Sequence, residues 1–327
     1  MPRAIDLYRH ALALNPKWED GWWSLGNIYY DTNRYEEALR ALTKLVEVNP
    51  KSAQGQGLLG LCEFELGKYE SSSAHISRSL ELGLPGQDQL EGVLRYHQAL
   101  LLTHRGNFDA ALAKYAWFVQ KGVQHTALLT AIGLAAIHNT QFPEAVGADQ
   151  REVFVEAGKA AYLSLTGAAV EARQACRDLV QRFPETPFVH YLYGSLMVSS
   201  DPDAGITEMQ RELEVSSPNG AAEAMLAWLL IEEEDFTAAA PFAERAVTDE
   251  PGLSLARYVY GRCLVEQGHL KEGIQRLEAA EALEPQSLID HIALAAAYSK
   301  AGRSEEARRE RVLSLKLAKE DLAASHH

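Results

Sequence analysis

Apolar residues recur along this chain with helical spacing, in short segments separated by polar turns. Five residues of the clearest segment fall on one helical face, at intervals of three and four: Trp22, Leu25, Gly26, Tyr29 and Tyr30. The polar residues 31–33 interrupt this helix, and a second apolar stripe covers 35–48 until Pro50 ends it. The pattern predicts a hairpin of two short antiparallel helices.

The positions of proline and glycine repeat at a step of 34 residues. Pro16 leads to Pro50, Pro184 leads to Pro218, and Gly26 leads to Gly60. A period of this length is typical of a stacked repeat, because neither helix of a pair could bury its apolar stripe alone. The chain is therefore predicted to build its core from neighbouring hairpins.

These residues resemble a known motif. Trp22, Leu25, Gly26 and Tyr29, followed by Ala38 and Pro50, resemble the tetratricopeptide repeat, with Leu42 where that pattern has Phe. Residues 53–86 and 254–287 resemble it as well, and weaker copies fill most of the remaining chain. The resemblance implies an all-α fold, a right-handed superhelical solenoid of antiparallel helix pairs. It implies about nine hairpins, together with a half-repeat and a C-terminal capping helix.

The register of the repeats divides the chain. We predict an N-terminal array over 1–138, an irregular junction over 139–150, and a C-terminal array with its capping helix over 151–327. The first residues match only the second half of a repeat, which indicates either a trimmed chain or a native half-repeat cap. The junction either bends the array, binds a ligand, or only connects.

Charge is unevenly distributed. The net charge is −14, with 13 basic and 16 acidic residues in 1–150 against 18 and 29 in 151–327. Residues 201–250 alone hold 2 basic and 13 acidic side chains. This balance argues against nucleic acid, whose phosphates require Lys and Arg. It favours either a basic protein partner or a face that is simply solvated.

Candidate chemistry is sparse. No P-loop, nucleophile elbow, dinucleotide motif or zinc motif occurs, so we expect neither an enzyme nor a cofactor nor a metal site. The three cysteines are expected to be small buried hydrophobes: Cys62, Cys176 and Cys263. No apolar run approaches the length of a membrane span, so membrane insertion is not expected. The sequence does not decide between a cytoplasmic and a periplasmic location.

The resemblance also implies a binding surface. In this family the first helices of successive hairpins line a concave groove, and the fifth residue of each points into it. Four of eight such residues are aromatic here, and neighbours one or two turns on add to the row. The candidate partner-binding residues are Trp23, Asn27, Tyr30, Phe64, Tyr96, Tyr162, Tyr191, Tyr258 and Arg262. Aromatic anchors of this kind suit peptide binding, although the same rings could instead pack between hairpins.

One specialised version of this groove is not expected. Some members of the family grip the C-terminal carboxylate of chaperones with Lys, Asn and Arg from three hairpins. Asn27 matches that clamp, but Trp23 replaces its Lys and Leu61 its next Asn.

The sequence thus predicts a non-catalytic protein-interaction scaffold. It would hold an extended peptide or a partner helix in an aromatic-lined groove, or serve as a structural subunit of a larger assembly. The alternative is the substrate-recruiting region of a larger enzyme whose catalytic domain lies outside this chain.

Overall fold

The computed structural model describes residues 2–324, and all of its regular structure is helical. Eighteen α-helices and one short 3-10 turn account for it, with no strand among these residues. The predicted all-α class is confirmed. His326 and His327, at the end of the predicted C-terminal array, lie outside the described part.

The chain divides into two compact units between Ala168 and Ala169. The first unit opens with a single helix, α1, and continues with four antiparallel helix pairs. Its helices are α1 Pro2–Leu14, α2 Glu19–Asp31, α3 Tyr35–Val48, α4 Ala53–Glu65, α5 Tyr69–Leu82, α6 Asp88–His104, α7 Phe108–Gln120, α8 Thr126–Ala136 and α9 Arg151–Leu165.

The second unit has the same plan, with a single helix α10 followed by four pairs. Its helices are α10 Ala169–Arg182, α11 Val189–Met197, α12 Pro202–Val215, α13 Gly220–Glu232, α14 Phe236–Asp249, α15 Ser254–Glu266, α16 Leu270–Glu281, α17 Leu288–Lys300 and α18 Ser304–Ala324.

Helices α8 and α9 make the closest backbone contact in the first unit. A Cβ atom on Gly133 would lie 1.8 Å from the carbonyl oxygen of Phe154, and one on Gly158 would lie 1.9 Å from that of Leu129. Only two glycines facing each other allow this approach. Helix α9 is therefore the second helix of a pair whose first helix is α8.

This pairing changes the predicted organisation. Residues 139–150, predicted as a junction between two arrays, connect the two helices of one pair, and their only regular element is the 3-10 turn Pro143–Ala145. The division at Ala168 differs accordingly from the predicted one. Among the described residues, eight pairs and two single helices take the place of the expected nine hairpins and half-repeat.

Within the other pairs, a large residue of one helix packs over a small residue of its partner. Leu42 of α3 is fully buried. A Cβ atom on Gly26 of α2 would lie only 2.6 Å from the Leu42 side chain. Gly60 and Ile76 repeat this arrangement one step later, at 2.8 Å. The 34-residue step therefore reflects a recurring contact between the two helices of a pair.

A side-chain hydrogen bond ties successive pairs together. Near the start of a first helix, one side chain donates to the carbonyl of the proline six residues earlier. The donors are Trp22 to Pro16 (2.9 Å), Gln56 to Pro50 (3.1 Å), His190 to Pro184 (3.1 Å), Arg257 to Pro251 (2.7 Å) and His291 to Pro285 (3.1 Å). Side chains of four different residue types thus satisfy the same carbonyl in each connection, that of the proline just after the preceding helix.

The predicted capping helix is α18, which pairs with α17. Besides the expected charged residues, its surface exposes apolar side chains, among them Val312 at 60% and Leu315 at 63%. The helix is therefore less polar on its outer face than the cap that the sequence predicts.

Candidate functional site

The first helices of the pairs form one face of each unit. Helices α2, α4, α6 and α8 touch their neighbours in turn, as do α13, α15 and α17. Across the described residues, the second helices α3, α5 and α7 do not approach one another as closely, although α7 does touch α9. From α2 to α7 the first helices therefore lie closer together than the second helices, and we call the face that the first helices line the inner face.

In the first unit, four of the predicted residues lie half-buried on this face or beside it. Trp23 packs against the core at the start of α2, and Asn27 lies one turn further on. The Tyr30 ring meets the Tyr35 ring edge-on at 5.7 Å. Tyr96 of α6 contacts Phe118 at 6.4 Å, and burial raises the pKa of its hydroxyl to about 12.

Phe64, the fifth predicted residue of this unit, belongs to a cluster of aromatic rings. It lies 5.7 Å from Tyr69 and 4.7 Å from His97. Phe142 comes from the connection between α8 and α9. Its ring lies 5.2 Å from both Phe64 of α4 and Tyr69 of α5. His104 stacks on Phe142 at 4.5 Å with an interplanar angle of 23°.

Hydrogen bonds and burial hold this connection in place. His104 Nδ1 donates to the Thr140 carbonyl at 2.9 Å. Pro143 and Val146 are buried, and Arg151 donates to the Val146 carbonyl at 3.2 Å. A segment of the protein itself therefore lies against the turn between α4 and α5, where Phe64 lies near the end of a first helix and Tyr69 begins the second.

Two histidine rings of this unit are uncharged near pH 7. The pKa of His97 is lowered by burial, and its Nδ1 donates to the Val93 carbonyl at 2.8 Å, so its ring is neutral near pH 7. Phe108 stacks on His138 at 4.3 Å, and burial lowers the pKa of His138 to about 4. Neither of these two histidines therefore carries charge near pH 7, whereas the carboxylates of Glu65 and Glu144 lie close enough to act on His97.

Tyr162 does not lie where the sequence predicts. The prediction placed it on a first helix, but α9 is the second helix of its pair, and the Tyr162 side chain is buried. The reason is the glycine contact with α8, which the length of the intervening connection conceals in the sequence.

In the second unit, Tyr258 and Arg262 form one structure. Tyr258 is only 4% exposed and belongs to the core. Arg262 Nη1 donates to its hydroxyl at 2.7 Å, and the guanidinium also lies 5.8 Å from the ring of Phe236. The rings therefore fix a half-buried positive charge on α15, while Tyr258 itself is mainly a packing residue.

Tyr191 lies at the start of α11 and contacts the ring of Phe188 at 5.7 Å. Its backbone N–H donates to Glu212 Oε2 at 3.2 Å, and that of Phe188 donates to Glu212 Oε1 at 2.8 Å. Ser216 and Asn219 also bond to this fully buried carboxylate. Glu212 thus caps a neighbouring helix, a role that its position in the sequence does not indicate.

The acidic block is divided between buried and exposed positions. Glu208 pairs with His190 at 2.6 Å, and Glu223 pairs with Arg245 at 2.6 Å. The turn 232–235 between α13 and α14 is exposed. Only part of the block is therefore free to attract a basic partner.

Within residues 2–324, no three His, Cys, Asp or Glu side chains are grouped so that they could hold a metal ion. Over the same residues, every helix is too short or too polar to cross a lipid bilayer.

Comparison with known proteins places these features in context. A peroxisomal targeting signal receptor from Eremothecium gossypii is 29% identical over 91 residues, which are 28% of this chain and 15% of that protein. The chain therefore resembles only a small part of this relative.

Two solved structures cover about half of the chain. MamA 41-end from Desulfovibrio magneticus RS-1 has a TM-score of 0.44 at 18% identity, covering 54% of this chain and 98% of its own. YrrB, described as a TPR protein with an unusual peptide-binding site, has a TM-score of 0.39 at 20% identity, covering 51% and 87%.

Family models give the assignment. Models described as tetratricopeptide repeat match residues 1–39, 24–83 and 230–290. These segments contain the pairs α2–α3, α4–α5 and α15–α16. These matches and the helix pairs of the described residues show that the chain carries tetratricopeptide repeats, the helix-pair motif found in protein-interaction scaffolds.

Proposed function

We propose that this protein is a non-catalytic scaffold that holds an extended peptide along the inner faces of its helix pairs. The observation that supports this most is the segment 140–146, in which Phe142 contacts Phe64, Tyr69 and His104. The rings at the turn between α4 and α5 thus have the chemistry to hold an aromatic anchor of a bound chain. The name of the relative, a receptor for a targeting signal, agrees with a peptide partner.

Three predicted residues offer contacts for such a peptide. Trp23 and Asn27 are half-buried on α2, and together they provide an apolar surface and an amide. Arg262 presents a guanidinium on α15 that its neighbouring rings hold in place. Tyr258 is buried and contributes to the inner face through packing, whereas Tyr162 is buried on the second helix α9.

A random-peptide display library provides the test, because it requires no knowledge of the natural partner. Selected peptides are labelled, and their affinities are measured by fluorescence anisotropy. Trp23→Ala, Asn27→Ala and Arg262→Ala are compared with Lys114→Ala, which alters an exposed residue of the second helix α7. We expect at least one inner-face variant to weaken binding about tenfold, the usual effect of removing an interface anchor, with Lys114→Ala unchanged.

Two outcomes would refute the proposal: selected peptides that ignore all three variants, or a library that yields no binder. The salt dependence of the same affinities tests whether acidic residues of this protein attract a basic partner. If acidic residues contribute, affinity falls as salt shortens the Debye length from about 30 Å at 0.01 M to about 8 Å at 0.15 M.

A further inference from the structure

A pair of aromatic residues occurs twice in the first unit, one repeat apart. Tyr30 and Tyr35 have ring centroids 5.7 Å apart at 65°, and Phe64 and Tyr69, 34 residues later, have centroids 5.7 Å apart at 59°. Each pair spans the same kind of turn, with a positive φ of 56° at Asn33 and of 69° at Gly67. The two pairs are therefore two copies of one local structure.

The second copy shows what such a pair accepts. Phe142 lies 5.2 Å from each of its rings, followed at once by a buried proline. The His104 side chain closes the other side of the Phe142 ring and donates to the Thr140 backbone. The ligand here is the aromatic side chain of a residue with extended backbone angles, directly before a 3-10 turn.

The first copy lacks this third ring. Among the described residues, the ring contacts of Tyr30 consist of its contact with Tyr35, and both side chains are partly exposed. Tyr35 donates from its hydroxyl to Asn33 Oδ1 at 2.9 Å, which fixes its ring across the turn. The pair is thus prearranged, and both rings remain partly accessible.

The residue that lies beside the aromatic pair is different in the two copies. Helix α4 ends at Glu65 and α6 ends at His104, each two residues before a glycine with positive φ. Glu65 therefore takes the position beside the first pair that His104 takes beside the second. It is exposed and close enough that, after burial, its charge is the next cause of the raised pKa values of Tyr30 and Tyr35.

We propose that Tyr30, Tyr35 and Glu65 form an anchor site for a partner peptide carrying an aromatic residue next to Lys or Arg. The aromatic ring packs against the two tyrosines as Phe142 packs against Phe64 and Tyr69. The neighbouring cation pairs with Glu65, where the second copy has an imidazole. This inference rests on the proposed peptide-binding function and specifies the ligand at the turn between α2 and α3.

The protein's own segment supplies the probe. Three fluorescein-labelled peptides cover residues 139–147: the natural sequence, a version with Gln141→Lys and Glu144→Lys, and that second version with Phe142→Ala added. Their affinities for the full chain are measured by anisotropy. We expect the lysine peptide to bind at least fivefold more tightly than the natural one, and the version without the aromatic ring to lose at least tenfold.

Protein variants then locate the site. Tyr30→Ala should weaken the lysine peptide at least tenfold, whereas Tyr30→Phe, which retains the ring, should stay within twofold. Glu65→Lys changes an exposed side chain and should reverse the preference between the lysine and natural peptides without affecting the fold. The circular dichroism of each variant checks that the helices remain intact.

Three results would overturn the site: unchanged binding in Tyr30→Ala, an unchanged peptide preference in Glu65→Lys, or no binding of the lysine peptide. If library-selected peptides still depend on Trp23 or Arg262, the anchor site is wrong while the peptide-binding function stands. If those peptides ignore every inner-face residue, the function itself is wrong.

Discussion

The contact between α8 and α9 allows a quantitative prediction, because two glycines bring the helix backbones together. In Gly158→Ala, the new Cβ atom would lie 1.9 Å from the Leu129 carbonyl oxygen, where ordinary contact begins at 3.4 Å. A backbone oxygen in a helix cannot rotate away, so the two helices must separate by about 1.5 Å, the difference between these distances.

That separation weakens the packing of the buried residues along the contact, including Ile132 and Ala157. A gap of 0.5–1 Å already forfeits about a quarter to a half of the dispersion energy of each atom pair. Overpacking a core usually costs about 1–3 kcal/mol, and the alanine returns about 1 kcal/mol through its helix propensity. With a backbone obstacle the cost lies at the upper end of this range, so we expect a net loss of about 2 kcal/mol in the free energy of unfolding.

Gly92→Ala is the matched control, since it makes the same chemical change inside α6. Its Cβ atom would meet only the Trp117 ring, at 3.7 Å, which is ordinary contact. This variant should gain about 0.5–1 kcal/mol from helix propensity alone. The two glycine variants should therefore shift stability in opposite directions.

Urea unfolding followed by tryptophan fluorescence measures both variants. Four of the five tryptophans lie in residues 1–168, so the signal reports mainly on the first unit. The reasoning fails if Gly158→Ala loses less than about 1 kcal/mol, the typical effect of an arbitrary substitution. The double variant with Gly133→Ala should cost less than the sum of the singles, because one separation relieves both clashes.

Two further predictions concern the second unit. Glu212→Ala removes the buried carboxylate that caps α11 and should lower the free energy of unfolding by about 3 kcal/mol in urea titrations, whereas the exposed Glu214→Ala should change it by less than about 0.5 kcal/mol. His190 and His291 each donate to a proline carbonyl and contact a glutamate, Glu208 and Glu310 respectively, at 2.6 Å. The pKa of His190 is raised chiefly by its hydrogen bond to Glu208. Burial lowers the pKa of His291, but its hydrogen bonds to Glu310 and to the proline carbonyl outweigh burial, so this pKa is raised as well. Their stabilising contribution is complete below the unfolded pKa of about 6.5 and is lost as pH rises through the higher folded values, so thermal melts above that pH should show falling stability. Glu310→Gln should flatten that dependence, and an unchanged pH profile in this variant would contradict the assignment.

The sequence predicted individual helices well where local signals mark both ends. The second stripe was expected over 35–48, and α3 covers Tyr35–Val48 because a polar turn precedes it and Pro50 follows. The pairing of α9 was missed because the connection from α8 is longer than most connections between helices in a bundle. The facing glycines, Gly133 and Gly158, are the signal that could have revealed it.

The candidate site was predicted only in part, for a related reason. Periodicity places Tyr30 and Phe64 on first helices, since both belong to regular repeats. It cannot show that Phe142, 78 residues after Phe64, contacts it, or that Glu212 caps a helix 24 residues earlier. Such contacts depend on the tertiary arrangement rather than on the local pattern.

The position of Phe142 has a thermodynamic consequence for ligand choice. Because its segment is tethered to the face that it contacts, it competes there at an effective concentration on the order of millimolar, whatever the concentration of the protein. A free ligand at Phe64 and Tyr69 must exceed that threshold, whereas a ligand at Tyr30 and Tyr35 meets no tethered competitor within the described chain. Two chemically similar ring pairs would thus differ in stringency: the first would admit weak, readily exchanging ligands, and the second would admit only strong ones.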